Sequence, residues 1–194
     1  MVFFDRLDIK SSSRLKGCPF SIPLRDLTAL TGPNGSGKTT VIKSMLDGGS
    51  GDLSSTEAVL HQISDHPVQA YHLSMTELAG RPMHRSINEY GSSFLAAHDM
   101  YTLWMSAGER QISQIGDIAD VSGSVILIDE MDASLDWNQQ QVFAERVMKL
   151  AEDNQVIVAT HSVIACLLFG EVFDMTTRTW KSARSLLPVR LLTT

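Results

Sequence analysis

Between the apolar run Leu27 to Leu30 and the helical stretch Val41 to Leu46 the chain reads Thr31-Gly32-Pro33-Asn34-Gly35-Ser36-Gly37-Lys38-Thr39-Thr40, and no other segment narrows the available folds as far. It satisfies G-x-x-x-x-G-K-[ST] in full, in the strand-to-helix setting that the motif requires. Glycines at 32, 35 and 37 let the backbone curl so that successive N–H groups point inward and cradle phosphate oxygens. The helix that follows adds the positive end of its dipole. Lys38 is placed to bring a full charge to the β- and γ-phosphates. The Thr39 hydroxyl suits a magnesium ion that takes oxygen ligands in octahedral geometry. Residues Gly32 to Thr40 are therefore the expected nucleotide-binding loop.

The rest of the chain alternates short apolar runs with helical patterns, which calls for a parallel sheet covered on both faces. Val2 to Ile9 reads as an opening strand, Ser11-Ser12-Ser13 as a turn, and Cys18 to Ile22 as an antiparallel partner. Gly48 to Ser55 is turn-rich. Val68 to Leu73 reads as a strand and Ile87 to Met100 as a helix. Ile112, Ile115 and Ile118 recur at helical spacing, which predicts a helix over Glu109 to Ala119 headed by the turn Ser106-Ala107-Gly108. Val125 to Ile128 and Val156 to Ala159 are buried strands; Gln139 to Leu150 and Ser162 to Phe169 are helices.

The strand Val125 to Ile128 delivers two carboxylates, Asp129 and Glu130, at its C-terminal edge, where sheets of this kind hold ligands. Asp129 is placed to bind magnesium, directly or through water, and Glu130 to polarise an attacking water as general base. Ser134-Leu135-Asp136 follows, and His161 ends the next strand on the same edge, within reach of a γ-phosphate.

These motifs, in this order over most of the chain, resemble an ABC-type ATPase head. The resemblance makes Gly32 to Thr39 the Walker A motif, Val125 to Glu130 Walker B, Ser134, Leu135 and Asp136 the D-loop, and His161 the switch histidine. It makes Ser106, Ala107, Gly108 and Glu109 the signature, which in this family completes the nucleotide site of a second copy in trans. An ATP-gated homodimer with ATP and Mg2+ as cofactors is what the resemblance implies. Asp129-Glu130-Met131-Asp132-Ala133-Ser134-Leu135-Asp136 is closer to the D-E-x-D-A-A-L-D of SMC and repair-type heads than to the D-E-P-T-S-A-L-D of transporters. Glu109, where transporters commonly carry glutamine, leans the same way. The segment from Ser50 to Tyr101 is far too short for the SMC coiled coil. Gln69 is a weak candidate for the Q-loop and a third metal ligand. Phe3, Phe4 and Phe20 read as core residues rather than as an adenine platform.

Composition bounds the remaining choices. A chain of 194 residues, 43% hydrophobic and 20% charged, fits one soluble domain, with approximately 50–104 as a helical, signature-side insertion. The expected fold class is thus α/β, a P-loop NTPase sandwich of ABC-ATPase type with a parallel core sheet and an antiparallel N-terminal β-subdomain. A net charge of −6 argues against a broad grip on nucleic acid, although a patch of Arg178, Lys181, Arg184 and Arg190 keeps a local contact open. Cys18 and Cys166 stand apart with no metal-ligand spacing, and no signal peptide is visible, so a cytoplasmic setting is expected. The longest apolar stretch, Val163 to Phe169, is too short to span a membrane. The functional expectation is ATP hydrolysis that moves or licenses a protein partner, in DNA maintenance or phage defence. A transporter nucleotide-binding subunit, or a dimerisation module with little turnover, are the alternatives.

Overall fold

The computed structural model describes residues 2–46, 56–63, 68–74, 107–130, 132 and 135–187. Nine strands and four α-helices lie among them: β1 (Phe4–Ser12), β2 (Phe20–Pro23), β3 (Leu27–Thr31), α1 (Lys38–Leu46), β4 (Thr56–Gln62), β5 (Ala70–Ser74), α2 (Ala107–Asp117), β6 (Val125–Asp129), α3 (Trp137–Asp153), β7 (Gln155–Ala159), α4 (Val163–Phe169), β8 (Glu171–Asp174) and β9 (Thr179–Ser182), with a closing 3-10 turn at Ala183–Leu186. They build two sheets. One is antiparallel and three-stranded, in the order β2-β1-β4; the other has six strands in the order β5-β6-β7-β3-β8-β9. Within the larger sheet β9 alone runs antiparallel to its neighbour.

The continuous apolar runs of β6 and β7 follow from their central position, where every side chain of both strands is buried. Successive residues point to opposite faces and so feed two separate cores. Val125 and Leu127, with Ile157, join Leu7 and Ile9 of β1 and Val41, Ile42 and Met45 of α1 between the sheets. Ile126 and Ile128, with Val156 and Val158, meet Phe143, Val147 and Leu150 of α3, Ile115 of α2 and Ala165 of α4 on the far side. Phe143, Val147 and Leu150 recur at i, i+4 and i+7, the stripe that an amphipathic helix lays on a sheet.

A buried glutamine joins the two sheets. Gln155, the first residue of β7, accepts through Oε1 from the backbone N–H groups of Phe3 (3.0 Å) and Phe4 (2.9 Å). Its Nε2 donates to the carbonyls of Phe4 (2.7 Å) and Arg25 (3.3 Å). Its neighbour Asn154 accepts from Ser124 N and donates to the carbonyls of Val121 and Leu150. A fully buried amide is tolerated where its donors and acceptors are matched, and both of these are.

The mixed α/β architecture expected from the sequence is present, with a mostly parallel core sheet and a separate antiparallel sheet. Several elements depart from expectation. β1 runs on through Ser12, where a turn at Ser11-Ser12-Ser13 was expected, because Ser11 and Ser12 pair with Glu57 and Thr56 of β4. β4, β8 and β9 have no counterpart in the sequence reading. Of the basic patch, Lys181 pairs with Asp174 at 2.7 Å, and Arg178 donates to the carbonyls of Lys16 and Gly17 while its guanidinium covers the Phe20 ring. Arg190 lies outside the described residues, as do the Gly48 to Ser55 turn, the Ile87 to Met100 helix and most of the 50–104 insertion. Phe3 and Phe4 enter the core as expected, while Phe20 is partly buried beneath Arg178. No described helix is long and apolar enough to cross a membrane.

Candidate functional site

The carboxyl ends of β3, β6 and β7 lie side by side in parallel register, and the residues that follow each strand gather at one edge. From β3 comes the glycine loop, with φ of 145° at Gly32, 77° at Gly35 and 97° at Gly37. A Cβ on Gly37 would collide with the Leu15 side chain, so the β1–β2 connection packs directly on the loop, and with the positive φ this calls for glycine there. On Gly35 a Cβ would meet nothing within 4 Å, leaving φ alone to demand glycine. Pro33, Asn34 and Gly35 are exposed at the crest, and the chain turns into α1 at Lys38.

Lys38 is almost wholly buried, and its Nζ donates to the carbonyls of Gly32 (2.9 Å) and Pro33 (3.2 Å). Burial pushes its pKa below the usual lysine value, opposed by the negative charges of Asp132, Asp129 and Glu130. Thr39 Oγ1 donates to Asp129 Oδ1 at 3.0 Å and thereby joins the helix of the loop to the end of β6. Asp129 is 3% exposed, and its carboxyl is pushed above the ordinary aspartate value by burial, with the Thr39 bond opposing the shift and Glu130 adding to it. Thr40 contributes its carbonyl to Ser44 Oγ within α1.

Glu130 directly follows, with a φ of 56°. A non-glycine residue in the left-handed region costs roughly 1–2 kcal/mol, and such strain persists where the surrounding structure fixes it. After β7, Thr160 is buried and His161 exposed; the His161 N–H donates to Asp132 Oδ1 at 3.0 Å. Loop, carboxylates and histidine thus meet at one edge of the sheet.

The loop also has polar capacity to spare. Ser36 Oγ is buried without a hydrogen-bond partner, and the first N–H groups of a helix have no acceptor within it. An anion carrying several oxygens fits that demand. Among the described residues no group of three or more His, Cys, Asp or Glu side chains could enclose a metal. The oxygens of Thr39 and Asp129 instead suit a magnesium ion that keeps waters and phosphate oxygens as its other ligands.

Other expected residues fall elsewhere. Gln69 is a correction: it precedes Ala70, which pairs with Val125 at the start of β6, and its carbonyl accepts from Val125 N. At ~3.3 Å per residue it stands about 16 Å from the Asp129 end, at the opposite edge, and cannot share a metal with Asp129. The residue of β5 that faces Asp129 is Ser74. Of the signature, Ala107, Gly108 and Glu109 form the first turn of α2, with Glu109 exposed, while Ser106 lies outside the described residues, as does Ser134. Leu135 is buried. Asp136 caps α3: its side chain accepts from Gln139 N at 2.8 Å while Gln139 Oε1 accepts from Asp136 N at 3.0 Å. Asp132 was singled out in the sequence only as part of a motif; its contacts with Thr160 and His161 span 28 and 29 residues and leave no local signal.

Residues 88–166, less than half of the chain, match the model of an AAA domain family described as AbiEii-type toxin of a Type IV TA system. The matched segment takes in β6, Asp136 and His161 but not the glycine loop. No curated protein matches the sequence. Among solved structures, an inward-facing ABC transporter described as of metal-chelate type aligns over 96% of this chain and 87% of its own, with 19% identity and a TM-score of 0.58. CbiO1 from Clostridium perfringens, part of the ABC transporter complex CbiONQ, aligns over 98% and 93%, with 14% identity and a TM-score of 0.57. A dimeric ATP-binding cassette in a post-hydrolysis state, bound to ADP and phosphate, aligns over 92% and 99%, with 14% identity and a TM-score of 0.55. The chain has the fold of an ABC-type ATPase head.

Proposed function

We propose that this ABC-type ATPase head binds ATP with magnesium and hydrolyses it, and that two copies close on two nucleotides and reopen after hydrolysis. The whole sequence is read as one domain, with approximately 50–104 as its signature-side insertion. The Thr39–Asp129 hydrogen bond carries the reading, because it couples the phosphate-loop helix to the carboxylate that precedes Glu130. Gly32 to Thr40 would cradle the phosphates, with Lys38 supplying charge once its Nζ turns from the loop carbonyls. Thr39 and Asp129 would hold magnesium, which neutralises developing charge on the phosphates. Glu130 takes a proton from water as the water oxygen bonds to the γ-phosphorus and the bond to the ADP oxygen breaks. His161 would meet the γ-phosphate, and Ser106, Ala107, Gly108 and Glu109 would complete the pocket of the opposite copy.

The closing motion would be a population shift driven by contacts that need a γ-phosphate, and its output would be work on a protein partner. The family match over residues 88–166 favours a defence or toxin–antitoxin setting for that partner over membrane transport. A transporter role rests on fold likeness alone and would show as co-purification with an integral membrane protein. Glu130→Gln tests the central reading: turnover falls by about 10²-fold or more, while ATP converts the variant into a dimer by light scattering. A variant that stays monomeric at saturating ATP, or that keeps wild-type phosphate release, overturns it.

A further inference from the structure

Two residues beyond Glu130, a single carboxylate oxygen holds the backbone on the other side of the site. Asp132 Oδ1 accepts from Thr160 Oγ1 at 3.1 Å and from His161 N at 3.0 Å. Thr160 is fully buried and its hydroxyl oxygen also accepts from Ser162 N at 2.9 Å. Ser162 Oγ accepts from Ala165 N, capping α4, and donates to Gln140 Oε1 at 2.6 Å. Gln140 Nε2 donates to the Leu135 carbonyl at 3.1 Å, and Leu135 N donates back to the Asp132 carbonyl at 3.4 Å. The hydrogen bonds form a closed circuit, Asp132 to Thr160 to Ser162 to Gln140 to Leu135 and back to Asp132. It ties the residues after β6 to those after β7 and to the first turns of α3 and α4.

The circuit bears on two groups that do not belong to it. Glu130, with its φ of 56°, lies one residue from Asp132's own N-terminal neighbour, so the strained turn is anchored immediately downstream. His161 is held through its N–H while the residue remains exposed, an arrangement that fixes the backbone and leaves the imidazole accessible to a ligand. Displacing a reacting group by ~1 Å can cost about 10²-fold in rate, so an anchor common to both sides of a site has leverage beyond its own bond energies.

We propose that Asp132 is a positioning residue that sets the register between Glu130 and His161 through this circuit. The inference rests on the reading of those two residues as water-activating and γ-phosphate-sensing groups. What the geometry uses is an acceptor oxygen at Oδ1, and asparagine supplies one without the charge.

The test compares full-length Asp132→Ala and Asp132→Asn with wild type and Glu130→Gln, measuring ATP turnover and native-state amide exchange. Asp132→Ala is expected to lose about tenfold or more in kcat with KM changed by less than about threefold, the pattern of a lost transition-state alignment. The His161 and Ser162 amides should exchange faster in the same variant. Asp132→Asn should keep turnover within about threefold of wild type and retain that protection. Should Asp132→Ala not fold, Thr160→Val removes the hydroxyl leg and is expected to show a smaller loss, about fivefold, again in kcat. Wild-type turnover in Asp132→Ala, unchanged His161 exchange, or a loss in Asp132→Asn equal to that in Asp132→Ala overturns the proposal while the ATPase reading stands. If wild type is as inactive as Glu130→Gln, the ATPase reading itself has failed and takes the proposal with it.

Discussion

Thr39 Oγ1 and Asp129 Oδ1 are 3.0 Å apart, so the second residue of α1 and the last residue of β6 are joined through the two oxygens proposed above to hold magnesium. The carboxylate occupies that position against its own preference, since burial raises its pKa.

A native pKa above the unfolded value means that the ionised form disfavours the fold. The penalty is absent at low pH and grows as pH rises past the unfolded value. Asp129→Asn keeps an acceptor for Thr39 and removes the charge, so the ligand-free protein should melt higher than wild type at neutral pH. The further rise in Tm expected of wild type with ATP and magnesium should be lost. Differential scanning fluorimetry with and without the pair of ligands reads both effects.

Ser106→Arg should block dimer closure and leave ATP binding to the monomer intact, because the signature is read as serving the opposite copy. Equilibrium binding of a labelled nucleotide, set beside light scattering at saturating ATP, separates the two effects. Loss of monomer binding would place the signature residues in the chain's own site.

Asp136 is a helix cap in this structure, whatever it does for a second copy. Replacing it with alanine removes the side-chain half of the capping box, the acceptor for Gln139 N, while the Asp136 N–H can still donate to Gln139 Oε1; the loss should cost about 1 kcal/mol, a fall of roughly 2–4 °C in Tm for a chain of this size. Asparagine should restore most of it. Thermal melts of the two variants check the expectation.

Asp174 governs part of the acid limb. Burial pushes its pKa up, but hydrogen bonds from Lys181 (2.7 Å), Thr176 N (2.8 Å) and Thr177 Oγ1 (3.0 Å) outweigh that, and its carboxyl lies below the ordinary aspartate range. A lowered native pKa contributes stability that is present above the unfolded value and disappears as pH falls through the native one. Asp174→Asn should therefore be less stable than wild type at neutral pH, with the gap narrowing below about pH 4. Urea melts across that range measure it.

The parts of the fold that could be read from the sequence are those with a physical signature inside one short window. β6 and β7 are unbroken apolar runs because both of their faces are covered, and α3 shows its stripe because it lies on a sheet. β4 was not legible: of its seven residues Ala58 alone is buried, so alternation is absent and pairing with β1 defines the strand. β8 and β9 are four residues each, too short for a period to show. In the site, the glycine loop, Asp129, Glu130 and His161 follow strands whose direction places them on one edge. Gln69 stands before its strand, not after it, and a lone glutamine carries no local signal of which end of a strand it occupies. Asp132 escaped because its partners come from the far end of the next strand.

The four hydrogen bonds of the Gln155 side chain have a mechanical meaning. They rivet the start of the chain to the base of a central strand, with the hydrophobic layer around Leu7, Ile42 and Leu127 sealed beside them. Neither sheet can swing against the other without exposing an amide that has no other company. The two sheets therefore travel as a single lever arm, and any joint that flexes in the proposed cycle of opening and closing is to be sought away from this seam.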